Sequence, residues 1–344
     1  MRRLLAVQAQ DRRAAGLAVR ARCRRATSAT LEHAVASERA LVVSWLLRGT
    51  LHLVCRDDYP WLLGLSAPTR SAASRRRLAQ EGVSPAQSER AVALIAASLA
   101  DSGPLTRTEL ARRLEAAGIP TAGQAIVHLL MLTALRGVAV VGPRAETELS
   151  LALSADWLGR PAPAELAGEY RDRALTELAR RYLAGHGPAT AADLASWAGL
   201  PLRDARRGLG SLGGSLAEVG GGLLDLRDRG ADGRRPPPAR LLPAFDPYML
   251  GWKDRGFAVR PEDRRRVHPG GGLLRAVATG DGLVVGTWGV RRRGGRLRVT
   301  VEAFAELGDD LRRDFECEAV DLARFEGLTP DEPVVVVEGA GQDA

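Results

Sequence analysis

Lysine is almost missing from this chain: Lys253 is the only one, so arginine carries nearly all of the positive charge. Cysteine is scarce as well. Cys23, Cys55 and Cys317 stand far apart, which excludes a disulfide framework and a zinc-finger spacing. The best apolar run, Ala40 to Leu47, falls far short of the roughly 18–20 residues that a membrane span needs. The opening Met1-Arg2-Arg3-Leu4-Leu5 meets Gln8-Ala9-Gln10-Asp11 before an apolar segment of signal-peptide length can form. A soluble, cytoplasmic protein with no membrane partner is therefore expected. His33, His52, His128, His186 and His268 lie in separate segments without ligand spacing, so no metal is expected. No phosphate-binding Gly-Lys-Ser/Thr loop and no nucleophile elbow are present. The clusters Gly220-Gly221-Gly222 and Gly270-Gly271-Gly272 lack the strand-to-helix context of a dinucleotide site, and no cofactor is expected.

What is present starts with charge. The 49 basic residues exceed the 41 acidic ones, for a net +8. A surplus of this size attracts polyanions, nucleic acid first. A GC-rich genome accounts for arginine in place of lysine, but not for the excess over acidic residues. With 45% hydrophobic residues in 344, the chain has material for well-formed cores in two or three domains.

An internal repeat organises the middle. Gly103-Pro104-Leu105-Thr106-Arg107-Thr108-Glu109-Leu110-Ala111 aligns without gaps with Gly187-Pro188-Ala189-Thr190-Ala191-Ala192-Asp193-Leu194-Ala195. In each copy Thr is placed as a helix N-cap and an acid three residues on completes a capping box. Each short helix leads through a Gly-Pro turn into a second helix, over 122–135 and 202–212. Strand pairs over 138–141 with 148–153, and over 216–219 with 223–226, then predict hairpins. Helix, tight turn, helix and hairpin is the winged-helix plan. A more diverged copy is expected earlier, with helices over 31–36 and 38–47 and a strand over 50–54. Thr69 to Gln80 is read as a linker whose Arg70 and Arg75-Arg76-Arg77 meet phosphate or form a solvated helix face. Gly230 to Pro238 reads as a second linker. Beyond it, strands over 283–290 and 296–303 flank Arg291-Arg292-Arg293-Gly294-Gly295, a hairpin with a cationic tip. The fold class expected is α+β, three tandem winged helix-turn-helix units followed by a β-rich region. The corresponding segments are 1–80, 81–160, 161–232 and 239–344.

Four further blocks carry a family resemblance: VQAQD at Val7 to Asp11, LLRGTLHLV at Leu46 to Val54, LLPAFDPYMLGWKDR at Leu241 to Arg255, and VVGTW at Val284 to Trp288. With the repeat, they make the chain resemble the AlkZ-like (AlkZ/YcaQ) winged-helix DNA glycosylases over nearly its whole length. The resemblance implies three winged helices and a β region curved around duplex DNA. It also implies excision of bulky or cationic alkylpurines, in some members to unhook interstrand crosslinks. The family's catalytic Gln-x-Gln signature is matched by Gln8 and Gln10. Members carry a helical segment ahead of this motif, whereas seven residues precede Gln8. A start codon further upstream or a trimmed member is the expectation.

The implied chemistry is reasonable on its own terms. An N3- or N7-alkylated purine is already cationic and leaves without a strong general acid. Two neutral amides can hold a water and point carbonyl dipoles at the developing sugar cation, although they have no pKa suited to general-base work. Residues i and i+2 diverge by roughly 200° on a helix, so Gln8 and Gln10 converge only where the backbone is irregular or a helix ends. His52 and Arg48 are candidates for the lesion pocket, with a structural histidine the competing reading of His52. Arg291, Arg292 and Arg293, then Lys253 and Arg255, are candidates for DNA contact; Asp246 reads as structural. The partner expected is double-stranded DNA bearing alkylated purines, with the protein nucleoid-associated, monomeric and monofunctional. The rival reading is a non-catalytic winged-helix transcriptional regulator, indifferent to changes at Gln8 and Gln10.

Overall fold

The computed structural model describes residues 1–143, 148–159, 165–229 and 236–330, and the backbone of 335–338. Most of the 230–238 linker, and the end of the turn expected at Arg144, lie outside these residues. From the N-terminus the elements are β1 (Ala6–Gln8), α1 (Arg12–Arg20), α2 (Ser28–Ala36), β2 (Leu41–Leu46), β3 (Thr50–Cys55), α3 (Tyr59–Gln80) and α4 (Pro85–Ser102). The repeat follows as β4 (Leu105–Thr106), α5 (Arg107–Ala116), α6 (Ala125–Leu135), β5 (Ala139–Val141), β6 (Ser150–Leu153) and α7 (Ser154–Leu158). Its second copy supplies α8 (Gly168–His186), α9 (Ala191–Ala198), α10 (Leu202–Gly210), β7 (Leu216–Glu218) and β8 (Leu224–Leu226). The remainder is β9 (Arg240–Leu242), α11 (Pro247–Leu250), α12 (Arg264–Val267), β10 (Val277–Gly280), β11 (Leu283–Arg293), β12 (Arg296–Ala303), α13 (Asp309–Glu326), β13 (Thr329–Pro330) and β14 (Val335–Glu338). The fold is mixed α+β.

Two compact units divide the chain. The first comprises Met1–Gln10 and His33–Leu226; the second comprises Asp11–Glu32 and the chain from Arg227 onward. This grouping is coarser than the four expected segments, and it joins residues 11–32 to the C-terminal region.

In the first unit both capping boxes of the repeat form: Thr106 with Glu109, and Thr190 with Asp193. The two second helices differ in character. No residue of α6 is exposed, so this apolar helix is core. Helix α10 instead buries Ala205, Gly208 and Leu209 and exposes Arg203, Arg206 and Arg207. Two expectations fail here. The helix placed over 38–47 is instead the strand β2, because Leu41-Val42-Val43-Ser44-Trp45-Leu46 is buried at every position. Its β-branched pair suits a strand covered on both faces. The linker placed over 69–80 is the second half of the 22-residue helix α3, with Ser71, Ser74 and Leu78 buried. Its small residues admit close packing against α6.

In the second unit a six-stranded sheet runs β13-β12-β11-β10-β9, with β14 also paired to β12. Leu297, Val299 and Val301 alternate inward from β12 and pack with Phe315, Leu322 and Phe325 of α13. Helix α1 belongs to this unit through a buried cation. The Arg20 guanidinium meets Glu318 at 2.8 Å, Asp321 at 3.2 Å and the Leu241 carbonyl at 2.9 Å. Arg22 forms a two-pronged pair with Asp246, at 2.8 and 2.6 Å, and Asp246 also caps α11 by accepting from Tyr248 N–H at 2.8 Å. Asp246 is 0% exposed, which makes it the structural residue expected. Removing the partner strands that carboxylate in the interior. Arg22→Met is expected to cost about 3 kcal/mol, read as a lowered denaturant midpoint for this unit.

Candidate active site

The site begins with a three-stranded sheet of order β1-β3-β2. Gln8 pairs with His52, and His52 pairs on its other side with Ser44. Paired residues share a face of a sheet, and alternation adds Thr50 to the same face. Ala9 N–H donates to the Leu51 carbonyl at 2.7 Å. Gln8 and His52 are therefore a non-hydrogen-bonded pair, the kind whose side chains stand closest.

The two glutamines lie off any helix: Gln8 ends β1 and Gln10 sits in the bend that follows. Strand β1 ends at Gln8, and Asp11 caps α1 by accepting from Arg13 N–H at 2.8 Å and Ala14 N–H at 3.1 Å. Gln10 lies ahead of the helix, so the 100° step of a helix does not apply to it. Its Oε1 accepts from Leu51 N–H at 3.4 Å, so a side-chain carbonyl continues the ladder where the strand has ended. Gln8 Oε1 accepts from Arg48 Nη2 at 3.1 Å, and Arg48 Nη1 also donates to the Trp197 carbonyl. Each amide oxygen thus has one lone pair committed to the protein and one left. Arg48 sits in the β2–β3 turn between Leu47, with φ of 49°, and Gly49, with φ of 85°. Leu5, just ahead of β1, has φ of 64°. Left-handed leucines are costly, and both are buried, so packing holds them in place.

His52 is 1% exposed, and its Nδ1–H donates to the Thr50 carbonyl at 2.8 Å. That tautomer leaves Nε2 as a bare acceptor, and Nε2 is buried without a hydrogen-bond partner. Thr50 Oγ1 shares this condition, while Ser44 Oγ and the buried Tyr59 hydroxyl stand within reach of each other. An unsatisfied buried group costs about 1–3 kcal/mol. Tyr59 lies at the Ser44 end, and burial holds its hydroxyl far above the usual phenol range. Burial, with the Arg48 charge second, pushes His52 down to about 3, so the ring is neutral at physiological pH.

Sequence reasoning named Gln8, Gln10, Arg48 and His52, and the structure brings these together. It did not name Ser44, Thr50 or Tyr59. The available signal was Ser44, a lone hydroxyl inside an otherwise apolar strand.

The candidates for DNA contact belong to the second unit. Strands β11 and β12 run on through the arginines to a two-residue turn at Gly294 and Gly295, with φ of 56° and 75°. The arginines therefore stand on the strand and not at the tip. Arg291 pairs with Arg298 and Arg293 with Arg296, four exposed arginines on one face. Arg292 points the other way, and its guanidinium is held by Glu326 at 2.8 and 3.0 Å, an intramolecular role that its sequence context does not disclose. Arg255 is half-buried with its Nε donating to the Met249 carbonyl, and Lys253 is exposed beside it. Both line a pocket of about 220 Å³ with Arg264, Arg265 and His268. Among the described residues no group of three His, Cys, Asp or Glu side chains is placed to hold a metal, and no helix is long and apolar enough to cross a membrane.

Comparison with known proteins adds three findings. The family model described as DNA glycosylase AlkZ-like matches residues 1–325. An interstrand DNA cross-link repair glycosylase of Streptomyces sahachiroi is 29% identical over 348 residues, covering 95% of this chain and 90% of that protein. The solved structure of Streptomyces sahachiroi DNA glycosylase AlkZ matches with a TM-score of 0.75 at 28% identity, covering 98% of this chain and 92% of that one.

The depressed His52 has a consequence for stability. An unfolded histidine protonates near 6.5 and the folded one only near 3, so stability is whole above pH 7 and declines as the pH falls through 6.5 towards 3. By pH 5 this one group removes about 2 kcal/mol. His52→Asn is expected to shrink the difference in unfolding free energy between pH 7 and pH 5 by that amount, measured by urea titration at both.

Proposed function

The chain belongs to the AlkZ-like DNA glycosylase family, and from that premise we propose that it hydrolyses the N-glycosidic bond of N7- or N3-alkylated purines in duplex DNA, bulky or crosslinked adducts included. The observation that carries this reading is that Gln8 and Gln10 each have an amide oxygen held by a protein donor at the β1–β3 pair, Gln8 by Arg48 and Gln10 by Leu51 N–H. The water oxygen bonds to the anomeric carbon as the carbon–nitrogen bond breaks. The bonding pair returns to the purine, cancelling its positive charge, and one proton leaves to solvent. The free lone pair on each Oε1 accepts from the water or faces the sugar cation. Arg48, beside Gln8, favours the hydroxide-like character the water gains. No lysine occurs in the unit that carries Gln8 and Gln10, so a Schiff-base lyase step has no donor there, and the reading is monofunctional.

The rest of the reading concerns grip. The repeats are read as tandem winged helices, with the exposed Arg203 and Arg206 of α10 on phosphate and α6 serving as core. Arg291 and Arg293, each opposite another arginine, are read as the phosphate or groove contacts of the hairpin; like charges placed directly opposite repel, and an anion between them relieves the repulsion. Lys253 and Arg255 extend that surface, and Arg292 contributes through its hold on Glu326.

Two measurements test these roles. Wild type is expected to release N7-methylguanine from methylated duplex DNA. Gln8→Ala/Gln10→Ala is expected to lose at least roughly a hundredfold in rate with DNA affinity kept. Equal rates would sink the catalytic amides, and tight sequence-specific binding without release would favour a regulator. In the second, Arg291→Glu/Arg293→Glu is expected to weaken binding on all duplex sequences and to lower the salt slope by about 0.9 for each phosphate that is no longer neutralised. An unchanged slope would remove the hairpin from the interface.

A further inference from the structure

The mechanism above uses two amides and leaves a buried acceptor beside them unused. His52 stands opposite Gln8 in the closest kind of cross-strand pair, and its ring leans along β3 to bond the Thr50 carbonyl at 2.8 Å. Gln10 Oε1 accepts from the N–H of Leu51, the residue between Thr50 and His52, so the second amide borders the same stretch of β3. Its Nε2 keeps a lone pair with no donor inside a residue that is 1% exposed. A purely structural ring in this place would be better replaced by an apolar one of the same shape.

We infer that His52 is a positioning residue whose Nε2 lone pair accepts one hydrogen bond from the water held by Gln8 and Gln10, fixing the direction in which that water meets the sugar. The inference rests on the two-amide reading. A water has two hydrogens and two lone pairs. With one hydrogen on His52 Nε2 and the other on a glutamine Oε1, a lone pair is left to face the anomeric carbon. The ring takes a hydrogen bond and not the proton. Burial and the Arg48 charge keep it neutral, with protonation pushed down to about 3. Ser44, on the other side of His52 in the cross-strand row, carries a hydroxyl within reach of Tyr59 of α3, so the face behind the ring is polar as well.

Two substitutions at one position separate the ring's nitrogens. In His52→Asn the amide nitrogen takes the place of Nδ1 and keeps the bond to the Thr50 carbonyl, while nothing occupies the place of Nε2. In His52→Gln the amide reaches the place of Nε2. With N7-methylguanine duplex as probe, His52→Asn is expected to lose at least about tenfold in single-turnover release, with DNA affinity and Tm near wild type at pH 7.5, and His52→Gln to recover part of the loss. A second measurement is independent of the variants. The ¹⁵N resonance of His52 Nε2 in the wild-type protein is expected to shift when duplex carrying an abasic-site analogue binds. An unmoved resonance, an unchanged rate in His52→Asn, or a loss that His52→Gln does not repair would each overturn the inference. Gln8→Ala run alongside tells the two readings apart. Loss in Gln8→Ala with full activity in His52→Asn sinks His52 alone, and full activity in Gln8→Ala or no release by wild type sinks the amides and His52 together.

Discussion

The pairing of β1 with β3 is the interaction on which the candidate site depends. Three residues, Ala6 to Gln8, make too short a strand to persist without partners, and β1 exists because β3 lies beside it. Side chains alternate along a strand with a period of two, so a slip of one residue would send Val7 and Ala9 to the polar face and both glutamines to the core. The register is guarded from both ends. Val7 and Ala9 are 0% and 1% exposed, which fixes the apolar side. Gln10 closes the ladder with its own side-chain oxygen, so one residue of the pair stabilises the register that orients the other.

Holding polar groups in this way is expensive, and the expense is local. Leu5 and Leu47 adopt left-handed backbone immediately before β1 and in the turn that presents Arg48. Thr50 and His52 keep buried polar atoms without partners on the same small sheet. Other helices of the first unit start on satisfied capping boxes, as at Thr106 with Glu109 and Thr190 with Asp193. On the proposed function, strain and unsatisfied polarity beside the two amides are stability exchanged for a preorganised arrangement.

How much of this was legible in the sequence follows from the range of the forces involved. Capping boxes depend on residues three apart, so Thr106 and Thr190 announced their helices directly. The hairpin of β11 and β12 was equally plain, since alternation and a Gly-Gly turn are local signals. The strand β2 was misread because a short apolar run fits helix and strand alike, and only the cover on both its faces decides. The glutamine geometry was conditional for the same reason: Gln8 and Gln10 converge or diverge according to a partner strand some forty residues away. Ser44 left a faint trace as a lone hydroxyl in an apolar strand, but its pairing with His52 comes from a register that no spacing along the chain encodes.

The charge surplus illustrates the same limit and also shows what can be recovered from it. A net +8 counts every arginine alike, yet the structure spends them differently. Arg20 and Arg22 are committed to carboxylates in the second unit, and Arg136 and Arg181 to Glu89 and Asp58 in the first. Arg292 is committed to Glu326, although two other arginines flank it in the chain. Arg291 and Arg293 stand opposite Arg298 and Arg296 on an exposed face of the sheet, a local excess of positive charge. Cations gathered in this way repel one another, and an external polyanion turns that repulsion into attraction. On the proposed function the polyanion is duplex DNA, whose closely spaced phosphates meet the row of cations and release the counterions condensed around them.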